Sequence, residues 1–183
     1  ETVYSTLTAA SGKRHFKINS GAHRVSLKWL RLTGGDTTSN SGDDRHGGSI
    51  HVYNVAAHLN ISHCVFFNNR AGYGGGAIYA SRGQANLLFS FVRFTENKAD
   101  RYGGAVYLRN AKLVDHSSMY NMNTALSGGA LYLTYGSFSF FKSSLVSNTA
   151  GRGGAGIYIY ADSSDPSFFN MSSVTLQSNK QID

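Results

Sequence analysis

The sequence is short of several things at once, and each shortage removes a class of protein. Cys64 is its only cysteine, so no disulfide framework is available. Proline occurs once against 21 glycines, and with many Ser, Thr and Asn this argues against a helical bundle. Charged residues make up 15% of the chain, where a soluble domain typically carries roughly 25%. The surface is therefore neutral in character, although 17 Lys and Arg outweigh 10 Asp and Glu to give a net charge of +7. No apolar run approaches the roughly 18 residues of a membrane span, and no signal-peptide pattern follows Glu1. Acids are absent from Thr2 through Gly35, the seven histidines are isolated, and neither CxxC nor HExxH occurs, so no cofactor and no metal is expected. Aromatic residues, in contrast, reach 13%, which argues against disorder.

What is present is a repeat. A glycine pair recurs as Gly47-Gly48-Ser49-Ile50, Gly75-Gly76-Ala77-Ile78, Gly103-Gly104-Ala105-Val106, Gly128-Gly129-Ala130-Leu131 and Gly153-Gly154-Ala155, at steps of 28, 28, 25 and 25 residues. Asparagines in the pattern apolar-x-x-Asn keep phase with it: Phe66 to Asn69, Phe94 to Asn97, Tyr120 to Asn123, Leu145 to Asn148 and Leu176 to Asn179, with Gly35 in the same slot after Leu32. Aligned on that slot, Val25, Leu59, Leu87, Leu113, Phe138 and Phe169 form one column, and Leu27, Ile61, Phe89, Asp115, Phe140 and Met171 another, two residues on. A spacing of two means strands. A further strand follows each glycine pair, with Gly156 read as an inserted bulge residue.

Each period thus holds three short strands that cannot bury an apolar face alone but can do so when stacked. The expected fold is all-β: a right-handed parallel β-helix of about six coils of 25–28 residues, residues 1–183 forming one domain with a loop insertion at 36–46. Asn69, Asn97, Asn123, Asn148 and Asn179 are expected to form a structural ladder at one corner.

The motifs in FFNNRAGYGGGAIYA and FTENKADRYGGAVYL resemble the polymorphic outer-membrane protein repeat of bacterial autotransporters, GGA(I/L/V) with FxxN. The opening RHFKINSGAHRVSLKWLRLTGG looks like the first coils of large right-handed β-helix surface proteins. Ser49, Gly35, Leu145, Leu176 and Gly156 depart from the pattern. The resemblance implies a passenger-type surface protein, often adhesive.

Candidate site residues follow from the columns. His51, Tyr79, Tyr107, Tyr132 and Tyr158 share an outward column, with Arg109 on the same face, and read either as a ligand stripe for a sugar chain or protein, or as rings that stabilise a β-face. Enzymes of this fold act on acidic polysaccharides with clustered carboxylates. Here the suspects are Asp115, in an otherwise apolar column, its neighbour His116, and Asp44 in the loop DTTSNSGDDRH. Asp115 otherwise marks a corner turned to solvent, and the loop a calcium-binding or merely solvated segment. Six basic residues between Lys13 and Arg31 read as a basic edge, and no nucleic-acid motif accompanies them. Asn60-Ile61-Ser62 and Asn170-Met171-Ser172 are N-glycosylation acceptor sequences on an outward column.

The reading that results is a non-enzymatic extracellular or cell-surface β-helix, structural or adhesive, with a polysaccharide lyase, hydrolase or epimerase as the alternative. Neither end shows a polar cap, and Asp183 comes before the glycine pair expected after Asn179. Further coils of a longer solenoid, or another subunit, are therefore expected to cover the ends.

Overall fold

The computed structural model describes residues 3–19, 24–53, 56–81, 83–162 and 167–182; Asp183 lies outside them. It is a parallel β-solenoid of about six turns with three sheets running along its length. The first sheet stacks Ser5–Thr8, Leu30–Thr33, Val65–Phe67, Arg93–Thr95, Met119–Asn121, Ser144–Val146 and Thr175–Gln177. A second carries the strands before the first corner and after the glycine pair; a third stacks Arg70–Ala71, Lys98–Ala99, Thr124–Ser127, Thr149–Gly153 and Lys180–Gln181.

The pairing register reproduces the sequence columns. Leu87 pairs with Leu59 on one side and Leu113 on the other, Leu113 with Phe138, and Phe138 with Phe169. Alternate side chains turn inward to one continuous core, where Phe66, Phe94 and Tyr120 stack almost parallel at 5.0 and 4.9 Å. In the 25-residue periods the strand after the glycines runs straight into the next as one eleven-residue strand, Val106–His116 or Leu131–Phe141. Positive φ at Asn110 (53°) and Tyr135 (52°) bends these long strands.

Two further corners of every coil use single left-handed residues, and most are not glycine. Trp29, His63, Phe91, Ser117, Lys142 and Ser173 stand six residues before the asparagine slot with φ between 50° and 57°. Asn68, Glu96, Met122, Ser147 and Ser178 do the same one residue before it, as Gly34 does at 73°. A left-handed non-glycine residue costs on the order of 1–2 kcal/mol, so packing of the stacked coils must hold them.

The asparagine corner supplies part of that hold. Asn97 Nδ2 donates to Asn123 Oδ1 at 3.0 Å and to the Phe66 carbonyl at 3.0 Å, and the Asn97 backbone N–H donates to the same Asn123 Oδ1 at 3.0 Å. The pattern repeats from Asn69 through Asn148 to Asn179, and at its head the Gly35 N–H donates to Asn69 Oδ1 at 3.0 Å.

The glycine corner has a different logic for each member of the pair. Gly47, Gly75, Gly103 and Gly128 take φ of 60–67°. The second glycine lies under the next coil: a Cβ on Gly104 would sit 2.1 Å from the Gly129 carbonyl oxygen, and one on Gly129 2.1 Å from that of Ala155.

In the last described coil the positive φ, 61°, belongs to Gly154, and Leu131 pairs with Ile157. The motif in register is therefore Gly154-Ala155-Gly156, not Gly153-Gly154-Ala155. Gly156 is the regular occupant of the alanine slot, its carbonyl accepting from both Ala130 and Leu131 as those of Ala105 and Ala130 accept from their neighbours. The extra residue lies earlier, where Ala125↔Ala150 shifts to Ser127↔Gly153.

Candidate functional site

Strand alternation sends one side chain in two away from the core, and at the glycine-side strand these are His51, Tyr79, Tyr107, Tyr132 and Tyr158, paired in unbroken register. The rings follow one another at 4.9–5.1 Å between centroids. The expected open ladder is nevertheless covered along much of its length. His51, Tyr79 and Tyr107 are buried, while Tyr132 and Tyr158 are half-buried.

The cover comes from the residues just before the glycine pairs. His46 stacks on Tyr79 at 4.0 Å, and Tyr102 packs on Tyr132 at 4.6 Å. Gly74, in the same position, makes room for Tyr107: a Cβ there would stand 2.5 Å from Tyr107 Cδ1. Tyr73 adds a tilted contact to His46 at 4.7 Å. Arg14 donates to His51 Nδ1, and burial, reinforced by the Arg14 charge, pushes the His51 imidazole down to about 3, so the ring is neutral. Burial also raises the Tyr107 hydroxyl well above its ordinary value.

Between this cover and the 36–46 loop lies a cleft of about 370 Å³, lined by Gly42, Asp43, Arg45, His46, Tyr73, Tyr79, Tyr107 and Arg109. A 3-10 turn at Gly42–Arg45 forms its outer lip. Arg45 is fixed by donating to the Gly72 carbonyl and by Asp100 at 3.9 Å. Arg109 is exposed, its guanidinium 5.9 Å from the Tyr135 ring centre.

The loop acids do not converge. Asp44 faces Lys17 Nζ at 2.7 Å and Arg14 at 3.5 Å, and the Lys17 hydrogen bond chiefly holds its carboxyl below the usual range. Asp36 accepts from the Thr38 N–H and hydroxyl at 2.8 and 2.7 Å. No group of three His, Cys, Asp or Glu that would hold a metal occurs among the described residues.

The suspected catalytic set is not assembled. Asp115 is fully buried, not turned out at a corner, because its strand holds regular alternation through that position. Its Oδ2 accepts from the Tyr120 hydroxyl at 2.8 Å, and Ser118 and Ser143 also favour the carboxylate, while Oδ1 makes no hydrogen bond among the described residues. Burial pushes this carboxyl up to about 6. His116, next in the strand, points the other way, exposed and stacked on Phe141 at 5.0 Å. Asp44 is committed to Lys17 and Arg14. Asn60 and Asn170 are exposed on outward columns.

The model of the Chlamydia polymorphic membrane protein repeat matches residues 63–81 and 91–109. Two stretches of the chain, about a fifth of its length, are similar to that repeat. Each match starts at a left-handed corner, His63 or Phe91, passes the asparagine rung and the glycine pair, and ends on the following strand at Ser81 or Arg109. The matched stretch is therefore the part of a coil that runs from that corner to the strand after the glycines, and the strand before the corner, Asn86–Ser90, lies outside it. Repeats of this kind are those of surface-associated proteins, structural or adhesin-like in class. No curated protein and no solved structure matches the chain. Among the described residues no helix is long and apolar enough to cross a membrane.

Proposed function

We propose that the chain is a structural or adhesive element of a cell surface, a β-helical rod whose half-exposed tyrosines meet a glycan or protein partner. The observation that carries this is the lower part of the column. Tyr132 and Tyr158 stack parallel, 3° apart in plane at 4.9 Å, with both rings half-buried and Tyr160 exposed beside them. Apolar rings with phenol tips on a rigid sheet offer both stacking area and hydrogen bonds at little conformational cost. The partner at the open end of the stack is a further coil or a second copy, because Ile159, Phe168 and Leu176 are 40%, 72% and 57% exposed there.

A glycan array and a pull-down with wild type and the Tyr132→Ser/Tyr158→Ser double variant test the adhesive part. Binding by wild type and its loss, tenfold or more, in the variant is the expected result. Silence of wild type in both assays, or equal binding by the variant, would remove it.

A further inference from the structure

We infer that the cleft between the 36–46 loop and the tyrosine column is a subsite for the carboxylate-bearing ring of an acidic saccharide, a uronate or a sialate. The assignment rests on the surface-binding reading above and names a ligand class for a different part of the same face.

Arg109 is the centre of the argument. Its strand alternation brings it out beside Tyr107, and among the described residues it has no ion-pair partner. Arg45, across the cleft, is held by Gly72 and Asp100 and cannot turn to a ligand without losing both. A guanidinium with free donors, on a rigid strand at the mouth of a cleft, suits a planar carboxylate approached side-on.

The remaining lining matches a sugar rather than a bare anion. Asp43 is exposed on the lip and makes no ion pair among the described residues, so its oxygens are available to accept from ring hydroxyls. The Tyr107 phenol, also in the lining, is in turn a donor. His46 and Tyr79 are buried against each other, so the half-buried Tyr73 beside them is the ring left to meet the apolar face of a pyranose. The volume, about 370 Å³, falls at the low end of the roughly 300–1,000 Å³ of ligand pockets. An acidic peptide fits less well, because it would meet Asp43 beside the one uncommitted cation.

The test is calorimetric titration of the protein at low salt with 3′-sialyllactose, digalacturonate, lactose and an oligoglutamate peptide. Saturable binding of at least one acidic sugar is expected, with lactose and the peptide at least tenfold weaker; which acidic sugar binds tells sialate from uronate. Arg109→Gln, on an exposed side chain, should weaken that binding at least tenfold. Lys98→Gln removes the same charge from the third sheet and should leave it unchanged. The subsite is overturned if neither acidic sugar binds, if lactose or the peptide binds equally, if Arg109→Gln binds as wild type does, or if Lys98→Gln matches its loss. Any of these outcomes leaves the Tyr132 and Tyr158 reading standing, since that reading has its own variants.

Discussion

Tyr120 stands where Phe66 and Phe94 stand in the coils before it, and Asp115 where Ile61, Phe89 and Phe140 stand. Each departure explains the other. A phenol stacked in the core brings a hydroxyl that needs an acceptor, and a carboxylate five residues earlier in the same coil supplies it at 2.8 Å. Tyr120→Phe should cost about 1–3 kcal/mol, because it strands a buried carboxylate oxygen. The pair also makes stability depend on pH. With the folded carboxyl near 6 and a reference value of 3.8, the folded state holds the proton more tightly. This group's contribution is therefore fully present below about pH 4 and is lost as pH rises through 6, a change of about 3 kcal/mol. Denaturant melts at pH 4.5 and 7.5 should show wild type gaining on Asp115→Asn as pH falls; a constant difference would refute the shift.

At the scale of the element, the asparagine ladder is the part most sensitive to a single change. Asn123 is buried, and its side chain makes four hydrogen bonds: two donated by Nδ2, to the Phe94 carbonyl and Asn148 Oδ1, and two accepted by Oδ1 from Asn97. Asn123→Ala should cost about 3 kcal/mol or more in urea denaturation. Asn179→Ala, on the half-buried last rung, should cost visibly less, and equal losses would argue against a cooperative ladder. The strands and their register are legible in the sequence because a period of two and a period of 25–28 repeat together over five coils. The phase of the last glycine pair is not, since Gly151, Gly153, Gly154 and Gly156 permit more than one alignment and only coil-to-coil pairing chooses among them. Left-handed corners at Trp29, Phe91 and Lys142 carry no residue-type signal, because none of these residues favours positive φ. Alternation likewise shows which way Tyr79 and Tyr107 leave the strand but not that His46 folds back over Tyr79. The one available hint was an aromatic residue directly before a glycine pair, His46 or Tyr102.

At the scale of the whole molecule, each coil is held by its neighbours, so the exposed apolar side chains of the last described coil are where a partner gains most. Sedimentation across the micromolar range should show concentration-dependent association, reduced by Phe168→Ser/Leu176→Ser. A wild type that sediments as a clean monomer throughout would show that this end needs no cover. The geometry of that end also follows from the glycine corner. Seen as a mould, the second glycine of each pair is the negative print of the carbonyl resting on it, 2.1 to 2.3 Å from where a Cβ would stand at Gly48, Gly76, Gly104 and Gly129. Ala155 occupies the same site with a methyl, the one raised point in a column of hollows. Any polypeptide seated there, of this chain or of another copy, has to rise over that methyl, so the seam at this corner is tilted open while the asparagine corner can still close.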